Sequence, residues 1–151
     1  MSTALLKSHK MRHLSVLMAI SLLTISCQTN TMEPFDKRVA SIVDESDITW
    51  SNIVVIPGEG CGGCISNATY FVMENIEKME DTAIIFTGVL DKKLLRQQVG
   101  AKLLAKANVF VDTDNLLMNK EVVSVYPYIL SVNNFAVNDK LEFEESQLLI
   151  N

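Results

Sequence analysis

Apolar residues fall along the chain as short dense runs alternating with helical stripes. The first run, residues 14–23, is about ten long and follows a basic start at Lys7, Lys10 and Arg12. It is too short to span a bilayer as a mature helix. Residues 28–37 are polar and carry Pro34, the pattern of a tether. Val39, Ile42 and Val43 mark a short helical stripe over 38–46. Residues 52–56 form a β-branched run of strand length that stops at Pro57 and Gly58. Then come Ile65, Ala68, Val72, Ile76 and Met79, in steps of three and four, one face of a helix over 61–79. Residues 82–89 supply a second buried strand around Ala83-Ile84-Ile85-Phe86. A helix follows over 91–106, with Leu94, Leu95, Val99, Leu103 and Leu104 inward and Lys92, Lys93, Arg96, Gln97 and Lys102 outward. Residues 108–112 read as a short strand and 113–120 as a polar connection. Residues 129–132 and 135–144 make a hairpin, with Asn133-Asn134 or Asn138-Asp139 as its turn. Trp50, just ahead of the first strand, is expected to pack under the domain. The order β-α-β-α-β-turn-β-β predicts a single domain with four or five strands in a central sheet and helices on its faces.

Residues 1–26 resemble a bacterial lipoprotein signal peptide: a basic start, an apolar core, then Leu23-Thr24-Ile25-Ser26-Cys27. That family usually puts Leu three residues before the cysteine; here Thr24 stands there and Leu23 one earlier. The resemblance implies cleavage before Cys27 and lipid attachment to it, hence a protein held to a membrane of the bacterial envelope and facing the periplasm. An ordinary secretory signal or an uncleaved anchor are the alternatives. Gln28, rather than Asp, after the cysteine resembles the default outer-membrane pattern. The chain then divides into a signal peptide (1–26), a tether and N-terminal extension (27–50) and the domain proper (51–151).

Cleavage changes the charge balance. The remaining 125 residues keep all 18 acidic residues and ten of the 13 basic ones, a formal charge of −8. An acidic body argues against nucleic acid or anionic lipid as a direct partner. Both histidines, His9 and His13, leave with the leader. Without histidine there is no Ser-His-Asp or Cys-His mechanism and no imidazole for a catalytic zinc or copper site. No cofactor and no metal is expected.

What chemistry remains centres on Cys61-Gly62-Gly63-Cys64, directly after the first strand and its glycine turn. Two thiols there open a helix, where free N–H groups and the macrodipole favour an anion, so Cys61 is expected to have a depressed pKa. Cys64 lies one turn on, near enough to close a disulfide. An attacking thiol and a resolving thiol suffice for thiol–disulfide exchange, and export would expose the pair to an oxidising compartment. A structural disulfide and a metal site are the competing readings. A CxxC loop is too small to stabilise much, and two thiolates fill only half a tetrahedral site.

With Pro127 added, the order of elements resembles the thioredoxin fold, an α/β fold with a central mixed sheet flanked by helices. Within it the chain resembles the membrane-tethered TlpA/ResA-type thiol–disulfide oxidoreductases over about 51–143. The resemblance rests on Cys61-Gly62-Gly63-Cys64 and on Tyr126-Pro127 opening the strand Tyr128-Ile129-Leu130. It implies Cys61 as nucleophile, Cys64 as resolving thiol and a cis Pro127 against the sulfurs. Tyr126 would then lie in the groove, its backbone pairing with the partner. It further implies protein thiols or disulfides of the envelope as partners, with the protein itself a monomer. Several features depart from the family. Gly60 replaces the aromatic lead-in, the dipeptide is Gly-Gly, and residues 52–56 lack the buried acid. Glu59 sits in the turn and is expected to be solvated. Four glycines around the pair could soften the helix start. The C-terminal helix is short or missing, since only 144–150 remain for it. The alternative function is a non-enzymatic thioredoxin-like lipoprotein that holds a partner in the same groove, its cysteine pair structural. Direction of electron flow is not legible from the motif.

Overall fold

A computed structural model describes residues 32–43, 50–134 and 136–144. The leader, Cys27 and the segment from 145 onward lie outside the described residues. So does the expectation of a short or missing C-terminal helix.

Helix α1 (Glu33–Ile42) is followed by β1 (Asn52–Pro57), α2 (Gly62–Asn75) with a 3-10 turn at Ile76–Lys78, and β2 (Thr82–Thr87). Then come α3 (Lys92–Val99), α4 (Ala101–Leu104), β3 (Val109–Val111), a 3-10 turn at Leu116–Met118, and the strands β4 (Tyr128–Asn133) and β5 (Ala136–Glu142). The five strands form one mixed sheet in the order β3-β2-β1-β4-β5. β1, β2 and β3 run parallel, and β4 and β5 are antiparallel to their neighbours. This is a thioredoxin-like arrangement, with β1 at the centre.

The strands alternate between two apolar layers, as a two-residue period requires. Val54, Ile56, Ile84, Phe86 and Ile129 meet Ala68, Phe71, Val72, Leu95 and Val99 of the helices α2 and α3. On the opposite side, Ile53, Val55, Ile85 and Leu130 meet Phe35 and Val39 of α1, together with Leu117 and Val122. Burial on both faces explains why β1 and β2 read as continuous apolar runs rather than alternating ones. Trp50 packs edge-to-face on Phe110 at 5.5 Å, under the sheet as expected.

Two boundaries differ from those read off the chain, and one alternative is decided. α1 starts at Glu33 rather than Arg38, because Pro34 occupies the first turn, where its missing N–H costs nothing, and Phe35 buries a turn ahead of Val39. Arg38 then fastens α1 to the 3-10 turn, donating to the Leu116 carbonyl (3.1 Å) and pairing with Glu121. The helix expected over 91–106 breaks at Gly100, whose φ of +84° cannot continue a right-handed helix. The hairpin turns at Asn134, with φ +51°, so Asn133-Asn134 is the pair that supplies the turn. Among the described residues, no helix is long and apolar enough to cross a membrane.

Candidate functional site

The parallel strands deliver their C-terminal ends, and antiparallel β4 its N-terminal end, to one edge of the sheet. Three loops converge there: 57–61 after β1, 87–91 after β2, and 119–127 before β4. The turn out of β1 is held by main-chain bonds. Gly58 N–H donates to the Thr87 carbonyl at 2.7 Å, and Cys61 N–H to the Val125 carbonyl at 2.9 Å. Gly58 and Gly60 are demanded by this packing: a Cβ on the first would strike the Gly88 carbonyl, and on the second the Val125 backbone, where φ is also +136°. Gly62 and Gly63 differ. A Cβ at either meets nothing, so they are choices and not steric needs.

Cys61 is the N-cap of α2, and its Sγ accepts from the Cys64 N–H at 3.4 Å. Cys61 and Cys64 are joined in a disulfide, with Cα atoms 5.3 Å apart. The sulfur pair therefore sits where the free N–H groups of the helix start point. Both cysteines are partly buried, with the exposed Gly62 and Gly63 between them. Glu59 is exposed, as expected.

A cavity of about 500 Å³ opens beside the disulfide, lined by Cys64, Asn67, Tyr126, Pro127, Glu142 and Phe143. It is Cys64, not Cys61, that lines it. The structure thus brings Cys64, Tyr126 and Pro127 to one groove, with Cys61 bonded to Cys64 at its edge. Phe143 N–H donates to the Pro127 carbonyl at 3.4 Å, and the Phe143 ring packs edge-to-face on Phe71 of α2 at 5.9 Å. The end of β5 is in this way closed onto the cysteine helix.

Two expectations about Pro127 need correction. No peptide bond among the described residues is cis, so Tyr126–Pro127 is trans. Trans is the default for X–Pro by about 0.5–1 kcal/mol, and the exposed Tyr126 ring has no packing that would reverse it. Nor is the Tyr126 N–H free for a partner strand, because Ser124 Oγ accepts it at 3.2 Å.

One group outside the sequence motifs lies behind the site. Asp112 is buried at the end of β3; its carboxylate accepts from Thr87 Oγ1 (2.7 Å), Leu116 N–H (2.9 Å) and Leu117 N–H (2.8 Å). Since Thr87 also holds Gly58, Asp112 anchors the turn that carries Cys61. Its signal was an Asp ending a strand ahead of Thr113-Asp114, the chemistry of a side-chain-closed turn. Next to it Tyr128 is almost fully buried, and its hydroxyl has no hydrogen-bond partner. Burial, with the Asp112 carboxylate adding to it, pushes that phenol well above the usual tyrosine range. Among the described residues, no group of three or more His, Cys, Asp or Glu is placed to hold a metal ion. No protein-family model matches the chain, and no curated protein matches it.

Proposed function

We propose that the chain is an envelope thiol–disulfide oxidoreductase of the TlpA/ResA kind, anchored through a lipid on Cys27. The observation that carries this is a partly exposed disulfide at a helix N-terminus beside an open, largely apolar groove. In the oxidised form a partner thiolate attacks Cys61 Sγ, the S–S bond breaks, and Cys64 leaves as the thiolate. A second partner thiolate then attacks the partner sulfur of the mixed disulfide and expels Cys61. The partner gains a disulfide and the CxxC pair takes up two electrons and two protons; the reverse sequence reduces a partner.

The test is catalysed insulin reduction and reactivation of a scrambled-disulfide substrate by the mature protein, compared with Cys61→Ser and Cys64→Ser. Loss of both activities in each variant is expected. Absence of both activities in the wild type would sink the enzymatic reading. The second reading, a partner-holding protein with a structural cysteine pair, is favoured by the trans Pro127 and the occupied Tyr126 N–H. Both depart from the family's way of pairing with its substrates.

A further inference from the structure

Main-chain pairing with a partner is restricted at this site. The Val125 carbonyl is taken by Cys61 N–H, and the Tyr126 N–H by Ser124. Side chains then carry more of the recognition, and the large exposed ones here are apolar or aromatic. Val125 is 54% exposed, Tyr126 56% and Leu90 86%, all on the loops that converge at the disulfide end of the sheet, with Val123 beside them. Pro127 and Phe143 continue the apolar surface into the groove. Residues 57–73, 122–130 and 141–144, which build the turn, most of the cysteine helix and the groove walls, contain Glu59, Glu142 and Glu144, of which Glu142 lines the groove, and neither Lys nor Arg; Lys120 and Lys140 lie just outside these spans, and Lys92 and Lys93 follow the 87–91 loop. All three carboxylates are exposed, and none is ion-paired among the described residues.

We propose that the groove takes an extended cysteine-bearing segment of a partner protein that is apolar and cationic next to its cysteine. This rests on the exchange reading above. An apolar floor holds large side chains flanking the cysteine, while the anionic rim draws in Lys or Arg and repels acidic thiols. Oxidised glutathione, small and anionic, is a poor substrate on the same grounds.

The experiment uses the reduced, full-length mature protein and nonapeptides whose single cysteine carries 2-nitro-5-thiobenzoate. Attack by Cys61 on the peptide sulfur releases the coloured thiolate. Peptides with Leu and Lys flanks are compared with Leu–Glu and Ser–Gly ones, and dithiothreitol supplies the intrinsic rate of each. Relative to dithiothreitol, the Leu–Lys peptide should react about tenfold faster than the Leu–Glu one at low salt, a preference that collapses in 1 M NaCl. The double variant Glu142→Gln/Glu144→Gln should narrow the ratio about threefold. Val125→Ser should slow the Leu peptides towards the Ser–Gly rate. Equal rates for the three peptides overturn this proposal and leave exchange standing. No release from any peptide overturns the exchange reading with it.

Discussion

Replacing Asp112 tests whether the sheet edge really hangs on one buried carboxylate. Asp112→Ala removes the acceptor for Thr87 Oγ1, Leu116 N–H and Leu117 N–H together. Hydrogen bonds to a charged group contribute about 1.5–3 kcal/mol each, which sets an upper bound of about 9 kcal/mol. Two effects reduce it. The variant no longer desolvates a carboxylate, and the partly exposed Leu116 amide can turn to water. A net loss of about 3–5 kcal/mol follows, a large part of the 5–15 kcal/mol typical of a domain. The neighbouring hydroxyl should behave in the opposite way. Tyr128 has no partner for its oxygen, so Tyr128→Phe should be neutral or stabilising by up to about 1 kcal/mol. Urea unfolding followed by circular dichroism reads both, with the m-value checked for constancy. Because Thr87 links Asp112 to Gly58, Asp112→Asn, which keeps one acceptor, should also shift the reduction potential of the cysteine couple. If Asp112→Ala costs under 1 kcal/mol, or Tyr128→Phe costs more than 1, the network has been misread.

Gly60→Ala forces a Cβ into the Val125 backbone at positive φ and should cost about 2–5 kcal/mol, whereas Gly63→Ala meets nothing and should stabilise the helix start by about 0.5–1 kcal/mol; thermal melts of the two variants check the contrast. In the reduced protein Cys61, at the open N-cap, should be alkylated before Cys64, and Cys64→Ser should trap mixed disulfides that Cys61→Ser does not; mass spectrometry showing the reverse order would reverse the assigned roles. Tyr128 keeps its proton in the folded state after the unfolded chain has lost it. Stability is therefore intact below about pH 10 and falls as pH rises further, by about 1.4 kcal/mol per unit, and Tyr128→Phe should remove that slope from alkaline urea titrations. Cys27→Ala should release the mature protein from membranes, since acyl chains supply about 0.8 kcal/mol per buried CH₂; wild-type protein found wholly in the soluble fraction would argue against lipidation.

The sheet was legible because its signals are local. Residues 52–56 and 82–87 are apolar without interruption, as strands covered on both faces must be, and the helix stripes at Ala68-Val72 and Leu95-Val99 name the layer that covers one of them. The second layer was harder to see. Phe35 is a single aromatic in a polar stretch, and its value as a core residue exists only once Ile53, Val55 and Tyr128 arrive beneath it from elsewhere in the chain. The break at Gly100 was open to sequence reasoning, since a glycine between Val99 and Ala101 is a natural stop, but continued Leu103-Leu104 periodicity outweighed it.

The site divides along the same line. The cysteine pair is a matter of spacing within one helical turn, so its place at the N-cap of α2 could be read directly from strand, glycines and apolar stripe. Pro127 is a matter of tertiary context. Its place in the groove follows from its opening β4 next to β1, which the family resemblance implied; its isomer does not, because the trans bond and the Ser124–Tyr126 contact depend on how the 119–127 loop folds back onto Gly60. That same fold-back consumes the Val125 carbonyl and the Tyr126 N–H. A family resemblance carries residues across, but the hydrogen bonds those residues make are decided by neighbours the resemblance does not specify. At this groove the neighbours leave an apolar, acid-rimmed surface for side chains to read, and it is there that substitutions at Val125, Glu142 and Glu144 should separate partner choice from the redox chemistry of Cys61 and Cys64.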